Sequence, residues 1–136
     1  MSDRPLAIGL GASSGAPRTA VTEVLARLVD ESVLSPRAVR AFATVEARAG
    51  DPAILEAVRR CSSDGAVPLW PYPAAELAGV AVPGPSELVR AEIGISSVAE
   101  AAALRAASEW GAGAELVAGK TRGDRVTVAV ARIGTA

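Results

Sequence analysis

Apolar and polar positions alternate along this chain in two rhythms, one strand-like and one helical. Leu6-Ala-Ile-Gly-Leu-Gly11 is a short apolar run ending in glycines, the pattern of a buried first strand. The spacing then turns helical: Val21, Val24, Leu25 and Leu28 line one face. Proline loses no hydrogen bond at a first helical position, so this helix is predicted to open at Ala16-Pro17. Ser35-Pro36 breaks it, and the β-prone stretch Ala38 to Val45 reads as a second strand. Asp51-Pro52 is an N-cap followed by a first-position proline, and the helix behind it places Ile54, Leu55, Val58 and Cys61 on one stripe. Ala66 to Trp70 is a short third strand, and Ala74 to Gly79 a helical turn.

Further on, Pro83-Gly-Pro85 forms a stiff elbow, and Pro85 to Ile93 is predicted as a short helix closed by Gly94. Ser97-Val-Ala-Glu100 has the spacing of a capping box ahead of an alanine-rich helix that runs to about Glu109. Glu115 to Lys120 and Arg125 to Arg132 read as two antiparallel strands joined by a tight turn at Arg122-Gly-Asp124. Both faces of the last strand are apolar or small, which predicts a central or protected position. The order of elements predicts one α/β domain over residues 1–136. Its architecture is a three-layer α/β/α stack with a mixed, mostly parallel sheet of about five strands and a C-terminal antiparallel hairpin.

Composition narrows the chemistry. Half of the 136 residues are apolar and only four are aromatic, so the core must be built from small and β-branched side chains. A net charge of −1 supplies no field to gather nucleic acid. There is no apolar run of about 18 residues to span a membrane. The start, Met-Ser-Asp-Arg, lacks a basic leader, and Cys61 has no cysteine partner; both fit a cytoplasmic protein. The absence of histidine excludes Ser-His-Asp and Cys-His catalysis within this chain, and imidazole-held zinc or cobalt with them. Acid–base work is left to carboxylates, Lys120, Tyr72 or water.

The loop Gly9-Leu-Gly-Ala-Ser-Ser-Gly15 joins a strand to a helix, and its spacing echoes a dinucleotide fingerprint. Pro17 stands where the last glycine of that fingerprint belongs, and Glu76 rather than lysine lies four residues after Tyr72, so a short-chain dehydrogenase does not fit. A plain tight strand-to-helix turn fits, and so does such a turn whose amides also meet an anionic ligand, the preferred reading. Thr44-Val-Glu46 stands at the expected carboxyl end of the second strand, where open α/β sheets gather ligands. There Glu46 is either a solvated loop charge or a site residue, with Arg48 beside it. Trp70-Pro-Tyr72 either packs locally or offers a flat wall to a flat ligand. Ser86 and Glu87 suit the first turn of a helix, Cys61 suits the core, and Lys120 is expected at a strand end, either solvated or in contact with a ligand.

Several segments together resemble the family that unites stand-alone CobE proteins with the C-terminal domain of CbiG proteins. They are Gly9-Leu-Gly11, Ala43-Thr-Val-Glu46, Val82-Pro-Gly-Pro-Ser-Glu-Leu-Val89, Ser97-Val-Ala-Glu-Ala-Ala-Ala-Leu104, and Lys120 with Val126-Thr-Val-Ala-Val-Ala-Arg132. There are departures: Ala12 replaces the usual cysteine of the first loop, Ser13-Ser14 its basic pair and Ala16 its threonine, and Gly84 stands where asparagine is common. Any anion held there must therefore be met by backbone amides or by Arg18.

The resemblance implies a role in building the corrin ring of cobalamin, with a corrinoid intermediate as partner and no cofactor or metal of the protein's own. The cleft expected from it comprises Gly9, Gly11, Ser13, Ser14, Gly15, Arg18, Thr44, Glu46, Pro83, Gly84, Pro85, Ser86, Glu87, Ser97 and Lys120. The first function it implies is accessory binding or handling of an intermediate. The alternative is hydrolysis of the cobalt-precorrin-5A lactone with release of acetaldehyde, alone or with a separate N-terminal hydrolase subunit. Glu46 and Glu87 are the candidate bases for that chemistry. Other cobalamin-synthesis enzymes are further expected partners.

Overall fold

A computed structural model of the chain describes residues 5–13, 15–62, 67–80, 95–110 and 114–133. Strand β1 (Leu6–Ala12) leads to helix α1 (Ala20–Asp30), strand β2 (Val39–Val45) and helix α2 (Pro52–Cys61). Strand β3 (Leu69–Tyr72) and the short helix α3 (Ala74–Ala78) follow. Helix α4 (Ile95–Ala107) then precedes β4 (Glu115–Gly123) and β5 (Val126–Arg132). The five strands form one sheet in the order β3-β2-β1-β5-β4. β1, β2 and β3 pair in parallel, while β5 pairs antiparallel with both β1 and β4. The last strand is thus central, as its two covered faces require.

The two faces of the sheet differ in the size of their side chains. Leu6, Ile8, Leu10, Phe42, Val126, Val128 and Val130 pack against α1 and α2. Ala7, Ala43, Ala129 and Ala131 face α4, whose Ala99, Ala102, Ala103 and Ala106 are buried on them. Bulk fills the wide interlayer space on one side, and its absence lets a helix backbone approach on the other. The approach is closest at Gly9: a Cβ there would lie 1.8 Å from the Ala99 carbonyl oxygen and 2.6 Å from the Ala103 nitrogen. Gly123 is similarly enclosed, its missing Cβ position lying 2.5 Å from Val24 Cγ2 of α1.

Local signals explain most element boundaries. The Asp51 carboxylate accepts from the Ala53 amide at 2.9 Å and caps α2, with Pro52 in its first turn. Helix α1 opens at Ala20 rather than Pro17, because Pro17 to Thr19 form a turn closed by the Ala20 amide donating to the Pro17 carbonyl at 3.0 Å. On α2 the buried positions are Ala53, Ile54, Glu56 and Ala57, while Leu55 is left exposed, so the inward face is rotated from the predicted stripe. Strand β3 starts at Leu69, later than the predicted Ala66. Strand β4 continues through Lys120 to Gly123, and the hairpin turn is Asp124-Arg125. Ser97 lies inside the first turn of α4, not at its N-cap. The short helix predicted over 85–93 lies outside the described residues. None of the described helices is long and apolar enough to cross a membrane.

The contact at Gly9 generates a direct test. Gly9→Ala is expected to destabilise by at least about 3 kcal/mol, since backbone rather than a movable side chain occupies the space. Leu55→Ala on the exposed side of α2 should stay within about 0.5 kcal/mol of the parent. Thermal denaturation of the two variants checks both values.

Candidate functional site

The chain leaves the sheet from β1 in a tight, pinned turn. The Ser13 amide donates to the Arg125 carbonyl at 2.8 Å, and the Ala16 amide closes back on the Ser13 carbonyl at 3.1 Å. Gly15 follows with φ +82°, a conformation that glycine adopts without steric cost. Arg125 stands against it in the hairpin turn, its Nη1 3.1 Å from where a Gly15 Cβ would be. Arg125 itself has φ +62°, an uncommon conformation for a residue other than glycine. A non-glycine residue held left-handed beside a glycine turn is a local strain, and such strain clusters at ligand sites.

Topology gives this corner its significance. From β1 the chain goes to β2 and β3 on one side, while β4 and β5 lie on the other. The end of β1 is therefore the switch point, where α/β sheets open a crevice. The parallel register sets Ile8 beside Phe42 and Gly9 beside Ala43, and its continuation brings Glu46 level with Ala12. Glu46 opens the 3-10 segment Glu46–Arg48 and is exposed to solvent. Ser13, Gly15, Glu46 and Arg125 thus share one rim.

Other expected site residues have packing roles. Gly9 is buried beneath α4. Gly11 is buried within β1, opposite Thr127 of β5. Thr44 is fully buried, and its hydroxyl donates to the Leu10 carbonyl at 2.7 Å, tying β2 to β1. Arg18 reaches toward α2, where it meets Glu56 at 3.5 Å. Ser14, Pro83, Gly84, Pro85, Ser86 and Glu87 lie outside the described residues, as do the side chains of Ser97 and Lys120. Arg125 was not among the residues expected from the sequence, because its place at the rim depends on β5 inserting between β1 and β4.

Two further clusters stand near the sheet. Trp70 stacks on Trp110 with ring centres 5.1 Å apart, so it packs locally. Tyr72 lies under the Arg105 guanidinium, 4.9 Å from its ring centre, and its hydroxyl donates to Glu109 at 3.4 Å. Burial, and then the neighbouring Glu109 charge, push the Tyr72 phenol up to about 12. Burial also pushes the Cys61 thiol up, away from nucleophilic reactivity. On α2, the nearly buried Glu56 carboxylate takes hydrogen bonds from Arg59 at 2.7 Å and from Arg60. Those bonds, Arg60 first, pull Glu56 down to about 2 against the opposing effect of burial.

Comparison with known proteins now places the chain. The family model described as Cobalamin synthesis G C-terminus matches residues 6–131, nearly the whole chain. The chain belongs to this family. Protein CobE of Sinorhizobium sp is 38% identical over 114 residues, covering 82% of this chain and 68% of the relative. Among solved structures, CobE, a protein from the cobalamin (vitamin B12) biosynthetic pathway, matches with a TM-score of 0.74 and 28% identity. That match covers 99% of this chain and 94% of the CobE chain. Cobalamin biosynthesis protein chiG of Agrobacterium tumefaciens matches at a TM-score of 0.67 and 28% identity, over 96% of this chain and 99% of that one. A cobalamin biosynthesis protein G homolog from Sulfolobus solfataricus shares the fold at a TM-score of 0.69 and 16% identity. Its match covers 99% of this chain but 38% of the longer homolog. The resemblance read from the sequence and the α/β domain with its C-terminal hairpin are both borne out, and the chain is a cobalamin biosynthesis protein of the CobE/CbiG family.

The Glu56 cluster yields a pH test. A carboxyl held below its ordinary range stabilises the fold fully above that range and loses the contribution as pH falls toward about 2. Glu56→Gln is expected to lower the thermal midpoint at neutral pH, with the gap to the parent closing as pH drops through 4 toward about 2. Melting curves across that pH series check the sign.

Proposed function

We propose that this chain binds a corrinoid ring intermediate at the carboxyl-terminal rim of β1 and β2 and hands it on within cobalamin synthesis. The observation that carries the reading is the juxtaposition of Gly15 and Arg125 at the sheet's switch point. Corrin intermediates carry peripheral carboxylates, and an exposed guanidinium beside an open glycine turn is a fitting donor for one of them. The left-handed backbone at Arg125 supports the same reading, since a glycine there would be less strained but would carry no charge. Glu46 on the neighbouring strand end limits how many carboxylates that side of the rim admits. The segment containing Pro83 to Glu87 belongs to the proposed cleft by resemblance alone.

Catalysis is a separable question. Hydrolysis of the cobalt-precorrin-5A lactone would need a carboxylate base, Glu46 or Glu87, because the chain has no imidazole. Binding alone requires neither.

The test is a spectral titration of the protein into hydrogenobyrinic acid and earlier ring intermediates, followed by an acetaldehyde assay with the lactone substrate. Saturable shifts in the corrinoid spectrum without acetaldehyde release are the expected result. Flat titrations for every intermediate would overturn the proposal, and acetaldehyde release that Glu46→Gln or Glu87→Gln abolishes would convert it into hydrolysis. Arg125→Gly is expected to weaken binding about tenfold, the loss of one charge-assisted hydrogen bond. The same variant should keep its stability or gain up to about 1 kcal/mol as the left-handed strain is relieved. Unchanged affinity in Arg125→Gly would remove that residue from the site.

A further inference from the structure

Thr127 lies in the central strand β5 between Val126 and Val128, a position that suits valine at least as well. It is 3% exposed, yet its hydroxyl forms no hydrogen bond among the described residues. Thr44, equally buried, uses its hydroxyl to tie β2 to β1. A buried hydroxyl without a partner costs stability, so packing alone gives no reason for threonine here. Among the described residues, Thr22 is the one whose polar side-chain atom is both sealed from solvent and unpaired. The unpaired Thr127 oxygen therefore still meets solvent.

Strand register fixes what stands beside it. Val126, Val128 and Val130 face α1 and α2, so alternation turns Thr127, with Ala129 and Ala131, to the α4 face. Directly opposite in β1 is Gly11, which places no side chain on that face. Directly opposite in β4 is Arg122, which is exposed. The next residue, Gly123, turns its missing Cβ toward Val24 of α1, so Arg122 projects on the same side as Thr127. Opposed side chains stand about 4.5–5.5 Å apart at Cβ, close enough for hydroxyl and guanidinium to meet one small group. The row lies two residues inside the rim, or about 7 Å, since Gly11 precedes Ser13 and Thr127 follows Arg125 by that step. Arg27 of α1 donates to the Arg122 carbonyl at 2.8 Å and holds this end of β4 in place.

We propose that Gly11, Thr127 and Arg122 form a carboxylate pocket on the α4 side of the rim. The Thr127 hydroxyl donates to one oxygen of the carboxylate, the Arg122 guanidinium donates to the same group, and the bare backbone of Gly11 leaves room for it. Arg125, in the hairpin turn above, is a separate donor, so a ring with several acidic arms is held at two points. That the arm belongs to a corrinoid rests on the reading above; that the pocket takes a carboxylate does not.

Thr127→Val separates this role from a packing role, because the two predict different pairs of outcomes. If the hydroxyl serves the ligand, the variant melts no lower than the parent and binds hydrogenobyrinic acid about tenfold more weakly, the loss of one charge-assisted hydrogen bond. Thr127→Ser, which keeps the hydroxyl, should hold the parent affinity within about threefold, and Arg122→Gln should lose about tenfold. The parent protein gives a second readout that needs no variant to fold well. Millimolar propionate should shift the Thr127 methyl resonance, identified by its absence from the Thr127→Ser spectrum, and uncharged propionamide should leave it in place. A lowered melting midpoint in Thr127→Val, undiminished affinity in that variant, or a methyl resonance indifferent to propionate would each end the proposal. Corrinoid binding with an unmoved Thr127 methyl removes the pocket and keeps the corrinoid reading. A methyl that answers propionate beside flat corrinoid titrations keeps the pocket and removes the corrinoid.

Discussion

The fold depends on how closely α4 lies on the sheet. With the Ala99 carbonyl where a Gly9 Cβ would stand, the helix rests on strand backbone rather than on side chains. Dispersion between backbone and alanine methyls then replaces the large-residue packing found on the opposite face. Such an arrangement has little room for adjustment, because interiors are close-packed and backbone cannot rotate away. It explains how a chain with four aromatic residues still buries an apolar layer on this face of the sheet. The same contact holds β1 in place, and β1 carries the turn at which the rim begins.

Much of this was legible in the sequence where the signal was local. Asp51-Pro52 announces α2 because cap and carboxylate bond lie within three residues of each other. The alternation of Val126, Val128 and Val130 with smaller residues announces a two-sided strand. Errors arose where the deciding interaction was distant. Glu56 is buried on α2 and Leu55 is not, because arginines from α1's approach and from α2 itself neutralise the carboxylate while alanines take the inward face. The Ser97–Glu100 spacing imitates a helix start, yet α4 already includes Ile95, since an alanine-rich run carries no periodic mark of its first turn.

The candidate site divides along the same line. Gly15 and Glu46 follow directly from strand ends, and the sequence pointed to both. Thr44 looked equally available, but its hydroxyl bonds a carbonyl of the adjacent strand, a partner that no spacing rule reveals. Arg125 enters the rim only once the sheet order is known. What reads as a plain hairpin turn in one dimension becomes, beside the first loop, a cation above a glycine.

That sheet order also bears on how the protein comes off the ribosome. Among the described strands β4 is bonded to β5 alone, and β5 is the last of the five in chain order. Until it emerges, the edge of β1 that β5 covers and the edge of β4 both lack their partner strand. Closure of the sheet therefore waits for the last of its strands and joins segments far apart in the chain, Leu6 beside Arg132. Long-range pairing of this kind slows assembly and leaves strand edges bare in the interval.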